Sequence, residues 1–230
     1  MIYAVKHNKV KREVRNTHNF EDALTASIFE RLMYLPKEML QQIFVASLFD
    51  SIKGLNLHQI ESIAYWPNWS AEYIKDKTRV EPDVFIRTET QDIIIEAKRY
   101  DDKQQDPKQW ENEIQAYYNE YADDKKELVF IALGGLYTRA TEPIYVMGQK
   151  HKIYKCTWKS ILNTVQDIIH NMELATNYTH NNIAISNILK DIVLCFELFG
   201  FSTALWLERF ILAPQIKQES ITYFSRSWRN

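Results

Sequence analysis

The stretch Val80–Arg99, VEPDVFIRTETQDIIIEAKR, constrains the chain more than any other. Asp92–Ala97 is an apolar run too short for a helix, and its three isoleucines lead directly into a charged residue, Glu96. A carboxylate at the end of a buried strand is costly unless something uses it. Upstream, Arg79–Ile86 alternates and carries β-branched residues, so it reads as a second strand. Thr88–Gln91 between them has the length of a hairpin connection. Antiparallel pairing then sets Asp83 beside Glu96. The period of two along a strand puts Lys98 on the face of Glu96. Two carboxylates and a lysine converge at one end of a sheet.

The remaining elements follow from periodicity and punctuation. Asn19 caps a helix that carries Glu21 and Asp22 in its first turn, where the helix dipole favours acids. Leu24, Ile28, Leu32 and Leu35 are its apolar stripe, and Pro36 stops it. A second helix is expected over Lys37–Ser51 and a strand over Gln59–Trp66. Trp69–Lys77 reads as a loop or short helix. Pro107 opens a helix to about Tyr121, with Trp110, Ile114, Tyr117 and Tyr121 on one face. Glu127–Leu133, bounded by Gly134-Gly135, is the most apolar strand and belongs in the middle of the sheet. Lys152–Cys156 offers a further strand. From Trp158 the pattern is helical: one amphipathic helix through Ile169, a polar break at Thr176–Asn182, and a buried helix Ile183–Phe199 closed by Gly200. A last helix, Ser202–Leu212, and a short strand, Ile221–Phe224, complete the series. The class is α/β with a mixed sheet.

Asp83 and Glu96 are the oxygen ligands that Mg²⁺ takes, and the carbonyl of Ala97 adds a third. A lysine beside them orients water or stabilises a pentavalent phosphate. That set serves phosphodiester hydrolysis, in which Mg²⁺ activates water and stabilises the charge on phosphate and leaving oxygen. Mn²⁺ is expected to substitute.

Pro82-Asp83, the thirteen positions from Asp83 to Glu96, and Glu96-Ala97-Lys98 after three isoleucines resemble the PD-(D/E)xK, or restriction-endonuclease-like, nuclease pattern. The element order over about residues 19–134 matches that superfamily's α-β-β-β-α-β core. The resemblance implies a further acid on the first helix that reaches the metal. Glu21 is the best candidate, ahead of Asp22 and Glu30. It also implies supporting residues on the helix after the lysine, where Gln109, Glu113, Tyr117 and Tyr121 form an i, i+4 stripe. A strict Gln-x-x-x-Tyr is absent, because Glu113 precedes Tyr117. The expected function is Mg²⁺-dependent DNA cleavage, by analogy in a phage-defence or restriction-type system. Cleavage of junctions, transposon ends or RNA is an alternative. A non-catalytic scaffold or protein-interaction module on the same fold is the alternative from another class, although a scaffold has no reason to keep Asp83, Glu96 and Lys98 together. The division expected is a basic arm at 1–18, a nuclease core at 19–157 and a mainly helical region at 158–230 packed on it.

Composition bounds the partners. The net charge of −2 does not coat nucleic acid by itself. Residues 1–18, however, set Lys6, Lys9, Lys11, Arg12 and Arg15 against Glu13 alone, and Lys9, Lys11, Arg12 and Arg15 are the candidate phosphate contacts. Arg226, Trp228 and Arg229 are further candidates or a frayed tail. Cys156 and Cys195 read as reduced, buried residues of a cytoplasmic protein. No run has the length of a membrane span. The scattered histidines lack HExxH spacing, and Gly134-Gly135 lacks the P-loop lysine. The chain thus shows no nucleotide motor of its own; a homodimer that cuts two strands and a larger defence complex with a separate ATPase are the partners considered. Trp66 and Trp69 read as packing rings, with base stacking as the alternative.

Overall fold

The computed structural model of the chain describes residues 20–100, 103–174 and 180–202. The basic arm with Lys9, Lys11, Arg12 and Arg15, the expected elements after Ser202, and Arg226, Trp228 and Arg229 lie outside the described residues.

Helices α1 (Phe20–Leu32) and α2 (Lys37–Ser47) come first. Strand β1 (Ile60–Tyr65), the short strands β2 (Trp69–Ser70) and β3 (Arg79–Val80), and strands β4 (Val84–Thr88) and β5 (Gln91–Ala97) follow. Then come α3 (Pro107–Tyr121), β6 (Glu127–Leu133), β7 (Glu142–Val146), β8 (Gln149–Cys156), α4 (Trp158–Leu174) and α5 (His180–Leu198). Six strands form one mixed sheet in the order β1-β4-β5-β6-β8-β7. The pairs β1/β4, β4/β5 and β7/β8 are antiparallel, whereas β5/β6 and β6/β8 are parallel.

The register of the central hairpin is the expected one. Val84 pairs with Ile95 and Ile86 with Ile93, so the positions before Val84 and after Ile95 are neighbours. Those positions are Asp83 and Glu96. The first of the two expected strands is divided, however. Pro82 has no N–H to donate to a ladder, and Arg79–Val80 pairs instead with Trp69–Ser70 in a separate two-stranded ribbon. The segment 69–77 thus contributes a strand where a loop or helix was expected, and β7 was not foreseen.

Alternation along β5 sorts its residues onto two faces. Ile93, Ile95 and Ala97 join Val84, Ile86, Val129 and Ile131 in a large core that α1, α2, α4 and α5 cover. Ile94 joins Phe85, Phe130, Trp110 and Tyr117 in a second core beneath α3. Both faces being covered, β5 is buried at all seven positions, and its centre, Ile93-Ile94-Ile95, is apolar without alternation. Each isoleucine there gains roughly 1.5–3 kcal/mol from leaving water. Helix α4 packs on α2, and α5 packs on α1 and α4. Trp158, Ile161, Leu189, Ile192 and Phe196 therefore share the core with the sheet. After α5, Gly200 takes φ 85° and Phe201 N–H donates to the Phe196 carbonyl, the left-handed cap its position suggested. No helix among the described residues is long and apolar enough to cross a membrane.

Candidate active site

The carboxylate of Asp83 lies where β4 begins and is held from two sides. Its Oδ2 accepts the backbone N–H of Ala97 at 2.8 Å, which ties the start of β4 to the end of β5. Its Oδ1 accepts the indole N–H of Trp66 at 3.0 Å. The Trp66 backbone N–H also donates to the Asp83 carbonyl at 3.1 Å. Trp66 follows β1 directly, and the pairing of Tyr65 with Val84 delivers it opposite Asp83. It adopts φ 46°, a conformation few non-glycine residues take.

Glu96 is on the α3 face of β5 and 1% exposed. Its Oε1 accepts from Lys98 Nζ at 2.5 Å and from Gln109 Nε2 at 2.8 Å. Glu113, one turn beyond Gln109 on α3, is also 1% exposed, and its Oε2 finds no hydrogen-bond partner. Burial pushes Glu113 up to about 8, although its hydrogen bond with Glu96 works the other way. Burial also drives Glu96 well above the usual carboxylate range, and the neighbouring Glu113 adds to this. Asp83 is raised well above its ordinary value by burial and then by the charge of Glu96. Burial alone would lower Lys98, but the Glu96 carboxylate overrides it and holds the ammonium above its ordinary value.

Glu21 comes from the first turn of α1. Its Oε2 accepts the backbone N–H of Arg99 at 3.0 Å, and its Oε1 lies 3.6 Å from Lys98 Nζ. Of the acids considered on that helix, Glu21 is the one whose carboxylate meets Lys98. Lys98 thus stands between carboxylates from a strand and a helix. Its backbone is fixed as well: its N–H donates to the Leu133 carbonyl at 2.7 Å, and its own carbonyl accepts from Trp158 Nε1 at 2.8 Å. The turn after β6 packs against it so closely that a Cβ on Gly134 would lie 2.2 Å from the Lys98 carbonyl oxygen. Gly134-Gly135 is there for close approach, not for phosphate.

The structure thus gathers Asp83, Glu96, Lys98, Glu21, Gln109, Glu113 and the Ala97 backbone at one end of the sheet. It does not bring Tyr117 there. The Tyr117 hydroxyl donates to Asp92 Oδ2 at 3.1 Å, at the beginning of β5. The reason is helical rise: eight residues on α3 separate Tyr117 from Gln109, about 12 Å. Sequence reasoning did not foresee two residues of the site. Trp66 was expected to pack or stack on a base; it is 3% exposed and serves as a donor to Asp83. Its place opposite Asp83 depends on β1 pairing with β4, which no local signal announces. Gln105, which precedes the helix expected from Pro107, donates its Nε2 to the Glu96 carbonyl at 3.0 Å, and its Oε1 accepts from Trp110 Nε1 at 2.7 Å. Trp69 is a packing ring, edge-on to Phe85 at 4.8 Å.

The donor set suits a hard divalent cation. Asp83, Glu96 and Glu113 are buried carboxyl groups, and Lys98 is the ammonium set among them, so full ionisation leaves an excess of negative charge. The orphaned Glu113 Oε2 is a further unsatisfied acceptor. Among the described residues no three His, Cys, Asp or Glu side chains are already arranged as a ligand set. Mg²⁺ asks for less, since one or two carboxylates with water and phosphate oxygens complete its shell.

No family model matches the chain. It is 30% identical over 198 residues to the uncharacterized protein PM0110 of Pasteurella multocida (strain Pm70), across 76% of this chain and 73% of that protein. The chain therefore belongs to the same family as PM0110 of Pasteurella multocida.

Proposed function

We propose that the chain is a metal-dependent nuclease with a PD-(D/E)xK, restriction-endonuclease-like core, cutting DNA phosphodiester bonds. The observation that carries the reading is the placement of Lys98 Nζ, 2.5 Å from Glu96 and 3.6 Å from Glu21, beside an Asp83 bonded to the intervening Ala97 N–H. Asp83, Glu96 and the Ala97 carbonyl would hold Mg²⁺, with Glu21 at the edge of the same site. When bound, the cation would polarise the phosphate and lower the pKa of an attacking water.

The side chains perform the rest. A water molecule gives up one proton to solvent as its oxygen attacks phosphorus, one P–O bond forms, the P–O bond to the leaving oxygen breaks, and the leaving oxygen takes one proton from solvent. Lys98 keeps its proton because Glu96 holds its pKa up, so it acts as a fixed positive charge beside the developing negative charge on phosphorus. Gln109 and Lys98 orient Glu96 through Oε1. Burial raises Glu113 to about 8 and it lies against Glu96, so it can release its proton and later regain one as the charge of the site changes.

Purified protein with Mg²⁺ or Mn²⁺ is expected to cut one or more of supercoiled, linear, single-stranded or branched DNA, and EDTA is expected to stop it. RNA in the same panel tests the alternative substrate. Lys98→Ala is expected to reduce cutting at least about a hundredfold while the fold persists, the scale of one lost stabilising charge. Full activity in Lys98→Ala would remove the site assignment. No cutting of any substrate would favour a scaffold.

A further inference from the structure

A cavity of about 420 Å³ opens beside the site, on the α3 face of the sheet. Its lining includes Gln105, Trp110, Tyr137, Thr138, Glu142 and Lys155. Gln105 ties it to the chemistry, because the same side chain holds the Glu96 carbonyl and the Trp110 indole. Lys155 is 2% exposed, a rare burial for a lysine. Its Nζ donates to Glu142 Oε1 at 2.6 Å and Thr138 Oγ1 at 3.2 Å, and lies 5.8 Å from the centre of the Trp110 ring. Burying an ammonium beside a carboxylate is costly, and a hydrophobic pair in its place would pack as well. Tyr137, 64% exposed, stands at the rim.

We propose that this cavity is a nucleobase pocket with a preference for guanine, taking a base of the strand being cut; the proposal rests on the nuclease reading of the adjacent site. The charge balance favours a base over a phosphate, since Glu142 neutralises Lys155 and Asp106 is a second acid in the lining. Tyr137 provides a face for stacking, and every base has a π-face to meet it. The edge is then read by a donor next to an acceptor. The Lys155 ammonium and Thr138 hydroxyl suit the O6 carbonyl of guanine, and the Glu142 carboxylate suits its adjacent N1–H and N2–H. Thymine offers the same carbonyl beside a ring N–H but has no exocyclic amine, so it leaves the second Glu142 oxygen facing a carbonyl and makes one contact fewer.

Calorimetric titration with dGMP, dAMP, dCMP and dTMP in EDTA probes the pocket without cutting, and the phosphate common to all four cancels. dGMP is expected to bind about tenfold or more tightly than dTMP. Tyr137→Ala, at an exposed position, is expected to weaken dGMP about tenfold, the loss of one stack. Equal binding of the four nucleotides, or dGMP binding unchanged in both Tyr137→Ala and Glu142→Gln, overturns the proposal. Sequencing the product ends from random DNA cut with Mg²⁺ gives a second readout. Guanine enriched at a fixed distance from the cut in wild type and levelled in Tyr137→Ala supports the pocket, and unbiased ends overturn it. Selective dGMP binding by a protein that cuts nothing would remove the nuclease reading and leave the pocket. Cutting without selective binding would do the reverse.

Discussion

The indole N–H of Trp66 donates to Asp83 Oδ1 at 3.0 Å while the Trp66 backbone N–H donates to the Asp83 carbonyl at 3.1 Å, so one residue grips both the side chain and the main chain of another. With the Ala97 N–H on Oδ2, both carboxylate oxygens of Asp83 are oriented before any ligand arrives. That orientation is kept despite a Trp66 φ of 46°, a conformation that costs of order 1–3 kcal/mol in a non-glycine residue.

Trp66→Phe removes the indole donor and retains an aromatic ring. Hydrogen bonds to a carboxylate contribute roughly 1.5–3 kcal/mol, so denaturant unfolding is expected to show a loss of about that size. On the nuclease reading, the Mg²⁺ concentration for half-maximal cutting is expected to rise, with a smaller effect on the rate at saturating Mg²⁺. A merely structural ring would lower stability and leave the Mg²⁺ requirement alone, so the titration separates the two roles.

The acid cluster makes stability depend on pH in an unusual direction. Glu113 titrates at about 8 in the folded chain against 4.5 ordinarily, and Asp83 and Glu96 are raised too. A raised carboxyl binds its proton more tightly when folded. Its contribution is therefore fully present below the ordinary value and is lost as pH rises through the folded one. Without divalent metal, the melting temperature is expected to fall between about pH 5 and pH 8, the window set by the Glu113 values. Mg²⁺ favours the ionised carboxylates, so its stabilising effect should grow across the same window and its binding should release protons. Thermal melts over a pH series with EDTA or with Mg²⁺ measure both. An EDTA profile that rises towards pH 8 and is indifferent to Mg²⁺ would rule out the cluster as a cation site.

The hairpin register was legible because it needs only local information: a short apolar run at Asp92–Ala97, alternation over Arg79–Ile86, and a short polar connection at Thr88–Gln91. The same logic carried Lys98 to Glu96. Glu21 was legible only as a favourable first-turn acid. That its carboxylate bonds the Arg99 N–H depends on how α1 crosses the sheet, which periodicity does not report. Trp66 escaped for a related reason. A tryptophan between a strand and Pro67 looks the same whether it packs or donates, and only the β1/β4 pairing decides. The break between β3 and β4 was signalled by Pro82, but the alternation of Arg79–Ile86 ran through it and masked the division.

Tyr117 offers the sharpest separation of scaffold from site on a single helix. It belongs to the stripe of Gln109 and Glu113, yet its hydroxyl meets Asp92, which already accepts two bonds from Arg87 at 3.1 Å each. Arg87 in turn bonds Asp124 and lies 4.5 Å over the Tyr121 ring, so the cluster fastens the C-terminal half of α3 to the start of β5. Tyr117→Phe leaves Asp92 satisfied by Arg87, so the loss should be that of one ordinary hydrogen bond, about 1 kcal/mol. Cutting should be unchanged at temperatures where the variant is folded. Gln109→Ala, two turns earlier, is expected to show the opposite pattern. It removes an orienting donor from Glu96 at a partly exposed position, with a small change in stability and a clear loss of cutting. Parallel unfolding curves and initial rates for the two variants decide the matter. Lost activity in Tyr117→Phe at intact stability would place that hydroxyl in the chemistry after all.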